Sequence, residues 1–286
     1  MTTTLDEFVK TLAPAQYDKA TVAERHQAME IAVAVSSLRG GTWFESGSWS
    51  HGTALKGHSD VDFMIPCSGS RPVYPSSALT TLKTSLAQSH WAIRDRRISS
   101  PTVKVEFFTA PHFEVVPAWH YNTVGEDKVF LIPGPGDQWE ESAPRAHLRF
   151  VTEQNDRLGK KVKPLARLLK QWKAATGAPV SSFYLEMRTA EYAKGEDFIS
   201  FHIDMRRLMG RLINHGLRDM NDPAGRVSRI RAVSSEESRR KTVRLLQEAK
   251  GHLDAAYDLD GQPGQASPYW SHMYDVFGSS FPYPTW

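Results

Sequence analysis

A short acidic motif at the start of an apolar segment constrains the fold of this chain more than any other feature. Gly47 and Ser48 open a glycine–serine turn, a Gly-Thr pair follows, and Asp60 and Asp62 then lead into the apolar segment 61–66. Alternate residues of a strand share a face, so we expect both carboxylates to point the same way while the residues between them enter the core.

The chemistry of this motif predicts a metal-assisted phosphate site. Two ionised carboxylates so close together repel each other unless a cation lies between them. Hard oxygen ligands of this kind suit Mg²⁺. The preceding turn offers backbone N–H groups and the Ser48 hydroxyl to a phosphate chain. The segment is therefore expected to bind a nucleoside triphosphate together with its cation.

The spacing of the motif makes it specific. A lone Asp-x-Asp is common in solvated turns and means little. The full pattern GS-(x)3-GT-(x)6-DVD is much more restrictive. It resembles the active-site motif of the polymerase-β-type nucleotidyltransferase superfamily in spacing and in order.

Length and composition exclude several classes of protein. With 286 residues the chain can form one globule or two lobes. Cys67 is the only cysteine, so an internal disulfide and a cysteine-based zinc site are excluded. No apolar run approaches the roughly 18 residues of a membrane span, and the N-terminus lacks a basic-then-apolar signal. We expect a cytoplasmic protein with no membrane partner.

The order of the local patterns predicts an α+β fold. Thr21–Glu24 reads as a capping box opening a long helix that ends at Gly40. Strand patterns follow at 42–46, 61–66, 103–108, 113–116 and 129–132, and helical patterns begin near residue 144. We predict a catalytic lobe with a mixed sheet and the long N-terminal helix over residues 1–150, and a helical lobe over residues 151–286.

A third carboxylate is needed if two metal ions assist phosphoryl transfer. Glu114 and Glu106 both lie on predicted strands, opposite apolar neighbours. The residues alone leave both candidates open.

A basic helix is the second candidate for phosphate binding. Between Arg157 and Lys173 there are seven basic residues and no acidic one. Lys163, Arg167 and Lys170 recur on the side opposite an apolar stripe, which predicts either a solvated face or a face that lines a nucleotide cleft. The acidic motif favours the cleft for Lys170. Lys173 lies about 60° closer to the apolar stripe, and we expect it to matter less.

Four segments carry a family resemblance across most of the chain: GSWSHGTALKGHSDVDF, HFEVVPA, KPLARLLKQWK and SSFYLE. They resemble the bacterial cGAS/DncV-like nucleotidyltransferases, or CD-NTases, which are anti-phage oligonucleotide cyclases. The resemblance implies a bilobal polymerase-β-like core with nucleotides held between the lobes. It also favours Glu114 over Glu106 as the third acid, although the family most often has Asp at that position.

The same resemblance implies roles for individual residues. Two Mg²⁺ or Mn²⁺ ions would be held by Asp60, Asp62 and Glu114. The donor phosphates would contact the Gly47-Ser48 turn, Lys170 and Ser182. Phe183 would stack on the donor base, unless it is an ordinary core aromatic.

The expected activity is the joining of nucleoside triphosphates, ATP or GTP with pyrimidines also allowed, into a cyclic di- or oligonucleotide second messenger. Pyrophosphate would be released, no nucleic acid would be required, and the product would act on a downstream effector in anti-phage signalling. One alternative is a template-independent RNA-tailing, CCA-adding or linear oligoadenylate-type transferase, for which the basic stretch 226–250 is the candidate RNA surface. Another is a catalytically degenerate nucleotide-binding regulator, favoured only by the Glu at position 114.

Overall fold

A computed structural model of the chain describes residues 5–14, 19–57 and 60–282. Its first half alternates strands with a few helices: α1 Leu5–Thr11, α2 Lys19–Ala34, β1 Phe44–Ser46, α3 Gly47–Ser50, β2 Val61–Pro66, α4 Pro75–Ser85, β3 Ile93–Ser99, β4 Thr102–Phe107, β5 Phe113–Val124, β6 Asp127–Pro133 and β7 Trp139–Ser142. Its second half is mainly helical: α5 Pro144–Arg157, α6 Val162–Thr176, α7 Ser182–Ala193, α8 Phe201–Asn214, the short strands β8 Met220–Asn221 and β9 Arg229–Ile230, α9 Glu236–Leu259 and α10 Ala266–Phe277. Short 3₁₀ turns lie at Pro135–Asp137 and Gly278–Ser280.

The main sheet is mixed and positions the acidic motif. Its strands run in the order β1-β2-β5-β4-β3, with β6 paired to β5 and β7 paired to β6. The β2–β5 pair is parallel, whereas the other pairs are antiparallel. In the parallel pair Asp62 lies beside Glu114. This mixed sheet confirms the predicted α+β class.

Two large hydrophobic clusters support the two halves. One lies against the sheet and includes the fully buried Ile65, Leu82 and Phe113. The other lies among the helices around Trp172 and Tyr184. The N-terminal helix α1 packs into this second cluster, and α5 runs across residue 150. The division at residues 150 and 151 stays a prediction.

The long helix near the N-terminus differs from its predicted bounds. Helix α2 begins at Lys19, so Thr21 lies inside it and does not cap it, and it ends at Ala34, well before Gly40. Gly40 instead bridges to Cys67, where an added Cβ would lie 2.9 Å from side-chain atoms of Ile65 and Val33. The glycine is explained by this close approach and not by a helix stop.

None of the helices in the described ranges combines the length and the apolar character needed to cross a bilayer.

Candidate active site

A cavity of about 540 Å³ opens between the β2–β5 edge of the sheet and helices α6 and α7. All eight residues predicted for the site line it: Gly47, Ser48, Asp60, Asp62, Glu114, Lys170, Ser182 and Phe183. The sequence analysis did not select four of its other lining residues, namely His51, Leu55, Ala174 and Glu186, and it gave a fifth, Lys173, a lesser part. The structure therefore brings the candidates together, while their individual roles stay predictions.

The acidic wall of the cavity holds like charges in close proximity. Burial and the negative charges of Glu114 and Asp60 raise the pKa of Asp62 to about 7. Burial and the charge of Asp60 likewise raise the pKa of Glu114. A divalent cation would favour the ionised form of both groups. The donor set therefore fits the predicted metal site.

Asp60 has a competing partner, because its carboxylate pairs with the ammonium group of Lys104. The oxygen atoms of Asp60, Asp62 and Glu114 do not all lie within 4.8 Å of one another. This spread does not suit one ion held by all three acids. It is compatible with two ions about 3.5–4 Å apart, which draw on a wider set of ligands.

Glu106 is placed outside the cavity. Its carboxylate pairs with Arg94 at 2.7 Å and with Arg97 at 3.1 Å. The hydrogen bond from Arg94 and the nearby positive charges lower the pKa of Glu106. Of the two candidates for the third acid, only Glu114 reaches the cavity.

The glycine–serine turn is held directly against the acidic wall. Gly47 has φ +61°, and an added Cβ would overlap the carboxylate of Asp62. The next backbone N–H, that of Ser48, donates to Asp62 Oδ2 at 3.2 Å. Only glycine satisfies both the left-handed backbone and the close approach, which explains the first residue of the motif.

The basic face of α6 secures the loop after this turn. The Lys170 ammonium donates to the carbonyl oxygen of Thr53 at 2.9 Å, and the Arg167 guanidinium donates to that of Gly52 at 2.6 Å. Lys170 is only 7% exposed, so the interpretation of this face as solvated is wrong. Lys170 lines the cavity as predicted and also supports the loop that follows the glycine–serine turn.

Lys173 contributes more to the cavity than its position on the helix predicts. Its ammonium donates to Ser182 Oγ at 2.6 Å, and both side chains line the cavity. Burial and the neighbouring charge of Lys170 lower the pKa of Lys173. Burial also lowers the pKa of Lys170. An anionic ligand would favour the charged form of both lysines.

Glu186 is the most important residue that sequence reasoning missed. It is 3% exposed on α7, and its carboxylate accepts hydrogen bonds from His51 and Thr53. Burial alone would raise its pKa, but His51, Lys170 and Thr53 hold it below the ordinary value. The Nε2 atom of His51, also buried, has no hydrogen-bond partner among the described residues. The available signal was an acid four residues after Ser182, which places both on one face of a helix.

Phe183 is not a core aromatic. Its side chain is 36% exposed and lines the cavity, and its ring meets His147 edge-on at 5.1 Å. The neighbouring Tyr184 and Leu185 are fully buried. The exposed ring face leaves the predicted stacking role open to test.

The charges of the two walls suit one kind of ligand. Carboxylates with raised pKa values line one wall, and lysines with lowered pKa values line the other. A nucleoside triphosphate complexed with a divalent cation carries the complementary charges in the same order.

Comparisons with known proteins agree with this geometry. Residues 1–155 match the family described as the Second Messenger Oligonucleotide or Dinucleotide Synthetase domain, abbreviated SMODS. No curated protein is significantly similar to the chain.

Solved structures share the fold along nearly the whole chain. The structure of E. coli MS115-1 CdnC with ATP has a TM-score of 0.74 at 18% identity, over 98% of each chain. Bradyrhizobium diazoefficiens CdnG in complex with GTP has a TM-score of 0.74 at 14% identity, over 98% of this chain and 96% of that one. Vibrio cholerae DncV, a cyclic AMP-GMP synthase, in complex with the linear intermediate pppA(3′,5′)pG has a TM-score of 0.65 at 14% identity, over 98% of this chain and 82% of that one.

Proposed function

The chain belongs to the family of second messenger oligonucleotide or dinucleotide synthetases, and from this premise we propose that it joins nucleoside triphosphates into a cyclic di- or oligonucleotide. Membership of this family confirms the resemblance to the bacterial CD-NTases and the expectation of a nucleotidyltransferase. The observation that carries the specific proposal is the cavity with one acidic and one basic wall.

In the proposed reaction a ribose hydroxyl attacks the α-phosphorus of a bound nucleoside triphosphate in line with the departing pyrophosphate. Lys173, Ser182 and the Ser48 hydroxyl bind and orient the triphosphate, which is most of what the protein contributes to such a transfer. Lys170 fixes the loop that presents this turn, through its hydrogen bond to Thr53.

Asp60, Asp62 and Glu114 would hold two Mg²⁺ or Mn²⁺ ions. When bound, such ions stabilise the developing negative charge and lower the pKa of the attacking hydroxyl. Asp62 would have to be ionised to serve as a ligand, so metal binding would favour loss of its proton. Asp60 would have to give up its ion pair with Lys104 to serve as one.

Room for a second nucleotide adjoins the first. A groove of about 750 Å³ shares five lining residues with the cavity: Gly47, His51, Asp62, Glu114 and Phe183. An acceptor nucleotide bound there would place its ribose near the acidic wall. For ring closure the linear product must turn over, so that its own triphosphate occupies the donor position.

ATP and GTP are the proposed substrates, since the solved structures of similar fold include complexes with each. The product is proposed to signal through a downstream effector in anti-phage defence. An RNA-tailing activity has less support, because several charges of the stretch 226–250 are paired within the chain. These pairs are Arg226–Asp127, Arg239–Glu236, Arg244–Glu248 and Lys250–Asp254.

The decisive experiment incubates the protein with all four nucleoside triphosphates, a short RNA and Mg²⁺ or Mn²⁺, followed by phosphatase treatment and mass spectrometry. A cyclic product keeps its internal phosphates after phosphatase, because ring closure consumes the only triphosphate. Extension of the RNA without such a compound would replace the proposal by a tailing activity. Nucleotide binding without any product would indicate a degenerate regulator.

A further inference from the structure

Far along the chain from the acidic motif, three potential metal ligands converge between helices α9 and α10. Nδ1 of His252 on α9 lies 3.1 Å from Nδ1 of His272 on α10. The same Nδ1 atom of His252 lies 3.5 Å from Oδ2 of Asp275, three residues further along α10. Among the described residues, this is the one group of three such side chains whose ligand atoms all lie within 4.8 Å of one another.

Two of the three separations between these atoms are close to the ligand spacing of a tetrahedral metal site. Two ligands about 2.0–2.1 Å from Zn²⁺, at the tetrahedral angle, are about 3.3 Å apart. The observed separations of 3.1 Å and 3.5 Å lie on either side of that value. His272 and Asp275 reach the same point because residues three apart on a helix are surface neighbours.

The donor set selects among cations. Imidazole nitrogen is a poor ligand for Mg²⁺ and Ca²⁺ but suits Zn²⁺ and its first-row neighbours. We propose that His252, His272 and Asp275 form a Zn²⁺-binding site that is separate from the nucleotide cavity. The side chains of His252 and Asp275 are 36% and 48% exposed, so the fourth position faces solvent and a water completes the site.

Zn²⁺ at this position would clamp two helices that pack against each other and are linked by the short connection 260–265. Helix α10 connects the proposed Zn²⁺ site to helix α6 of the nucleotide cavity. The Phe277 carbonyl at the end of α10 accepts a hydrogen bond from Gln171 on α6 at 2.9 Å. Helix α6 also carries Lys170 and Lys173. The expected consequence is a higher thermal stability of the Zn²⁺-bound protein.

The test uses the full chain, free of any polyhistidine tag, treated with chelator and then titrated with Zn²⁺ in excess Mg²⁺. We expect His272→Gln, His252→Gln and Asp275→Asn each to weaken one Zn²⁺ site by at least about 100-fold. His202→Gln is the matched control, since His202 also faces an acid, Asp260, at 3.6 Å in the same helical region. This control should keep the wild-type Zn²⁺ stoichiometry and the Zn²⁺-dependent rise in melting temperature.

The double variant Asp60→Asn/Asp62→Asn separates this site from the proposed catalytic metals. It should keep the Zn²⁺ site in full, whatever happens to its activity. If His272→Gln binds as much Zn²⁺ as the wild-type protein, or if the double variant loses the site, the assignment is overturned. The same holds if the wild-type protein binds no Zn²⁺ under these conditions.

Discussion

The two walls of the cavity differ in how their charges are satisfied. On the basic wall, buried charges hold the chain itself: Lys170 and Arg167 bond to loop carbonyls, and Glu186 accepts from His51 and Thr53. On the acidic wall Asp62 and Glu114 lie side by side: burial and the charges of Glu114 and Asp60 raise the pKa of Asp62, and burial and the charge of Asp60 raise the pKa of Glu114. On the first wall Lys170, Lys173 and Glu186 have hydrogen-bond partners within the chain, whereas on the second a cation would favour the ionised forms of Asp62 and Glu114.

This difference separates folding from chemistry within one site. Removing a charge from a satisfied buried network leaves its partner uncompensated, which destabilises the fold. Removing a charge from a group of repelling carboxylates relieves that repulsion, so stability is kept or gained while metal binding is lost. Variants on the two walls should therefore change different measured quantities.

The largest effect is expected from Asp60→Asn/Asp62→Asn. We expect product formation to fall by at least about a thousandfold, because the charge stabilisation supplied through these ligands is removed. In chelator the melting temperature of the single variant Asp62→Asn should not fall, because this change relieves the repulsion without breaking the Asp60–Lys104 ion pair. Near wild-type release of pyrophosphate by this variant would show that the acidic wall is not the catalytic site.

Glu114→Gln should reduce activity by at least about a hundredfold, because it removes the third ligand from the acidic wall. Glu106→Gln is the matched control, since Glu106 pairs with Arg94 and Arg97 outside the cavity, and its activity should change little. Initial rates at saturating nucleotide give the comparison. The opposite ranking of the two activities would identify Glu106 as the third ligand. Glu114→Asp would then show whether the length of the acidic side chain at position 114 affects activity.

Glu186→Gln tests the basic wall through stability. We expect the free energy of unfolding in urea to fall by about 3 kcal/mol, because a buried network loses its negative charge. Glu191→Gln on the same helix is the control. The Glu191 side chain is 43% exposed in its ion pair with Arg188, so we expect a change within about 1 kcal/mol. A Glu186→Gln protein that is as stable as wild type but inactive would break the distinction between the walls.

Lys173→Ala should weaken nucleotide binding by about tenfold or more, as expected for loss of a hydrogen bond to a charged group. The stability of this variant should change little, since the Lys173 ammonium donates its hydrogen bond to a neutral group, the Ser182 hydroxyl at the cavity. Lys160→Ala, which removes an exposed lysine paired with Asp156, should leave binding unchanged. Equal binding by the two variants would mean that the donor phosphates lie elsewhere.

The last effect is a dependence of stability on pH. The pKa of Asp62 is raised from 3.8 to about 7, so between these values the folded state holds a proton that the unfolded state has released. In chelator, stability should therefore fall as pH rises toward 7, relative to Asp62→Asn. Excess Mg²⁺ should remove this difference. Parallel melting curves of the two proteins from about pH 5 to about pH 8 measure it.

The sequence predicted the acidic wall well because its information is local. The alternation of β2 and β5 placed Asp62 and Glu114 on the cavity side of otherwise apolar strands, and the fixed motif spacing identified the turn at Gly47. The sheet class followed from the same patterns.

The basic wall was predicted only in part, because its contacts join distant segments. His51 and Glu186 meet although 135 residues separate them in the sequence, and no local pattern predicts that contact. Lys173 lies close to the apolar stripe on a helical projection, but the cavity opens on that side of α6. Periodicity gives the face of a helix but not what lies opposite it.

The parallel pairing of β2 with β5 has a consequence for biosynthesis. Parallel strands require a long crossover, and such non-local pairing is among the slower steps of folding. During translation Asp60 and Asp62 leave the ribosome long before Glu114, and α6 and α7 follow later still. A nascent or truncated chain therefore carries the acidic motif without the rest of the site. If the proposed function is correct, nucleotide synthesis would begin only after the chain has been completed through α7.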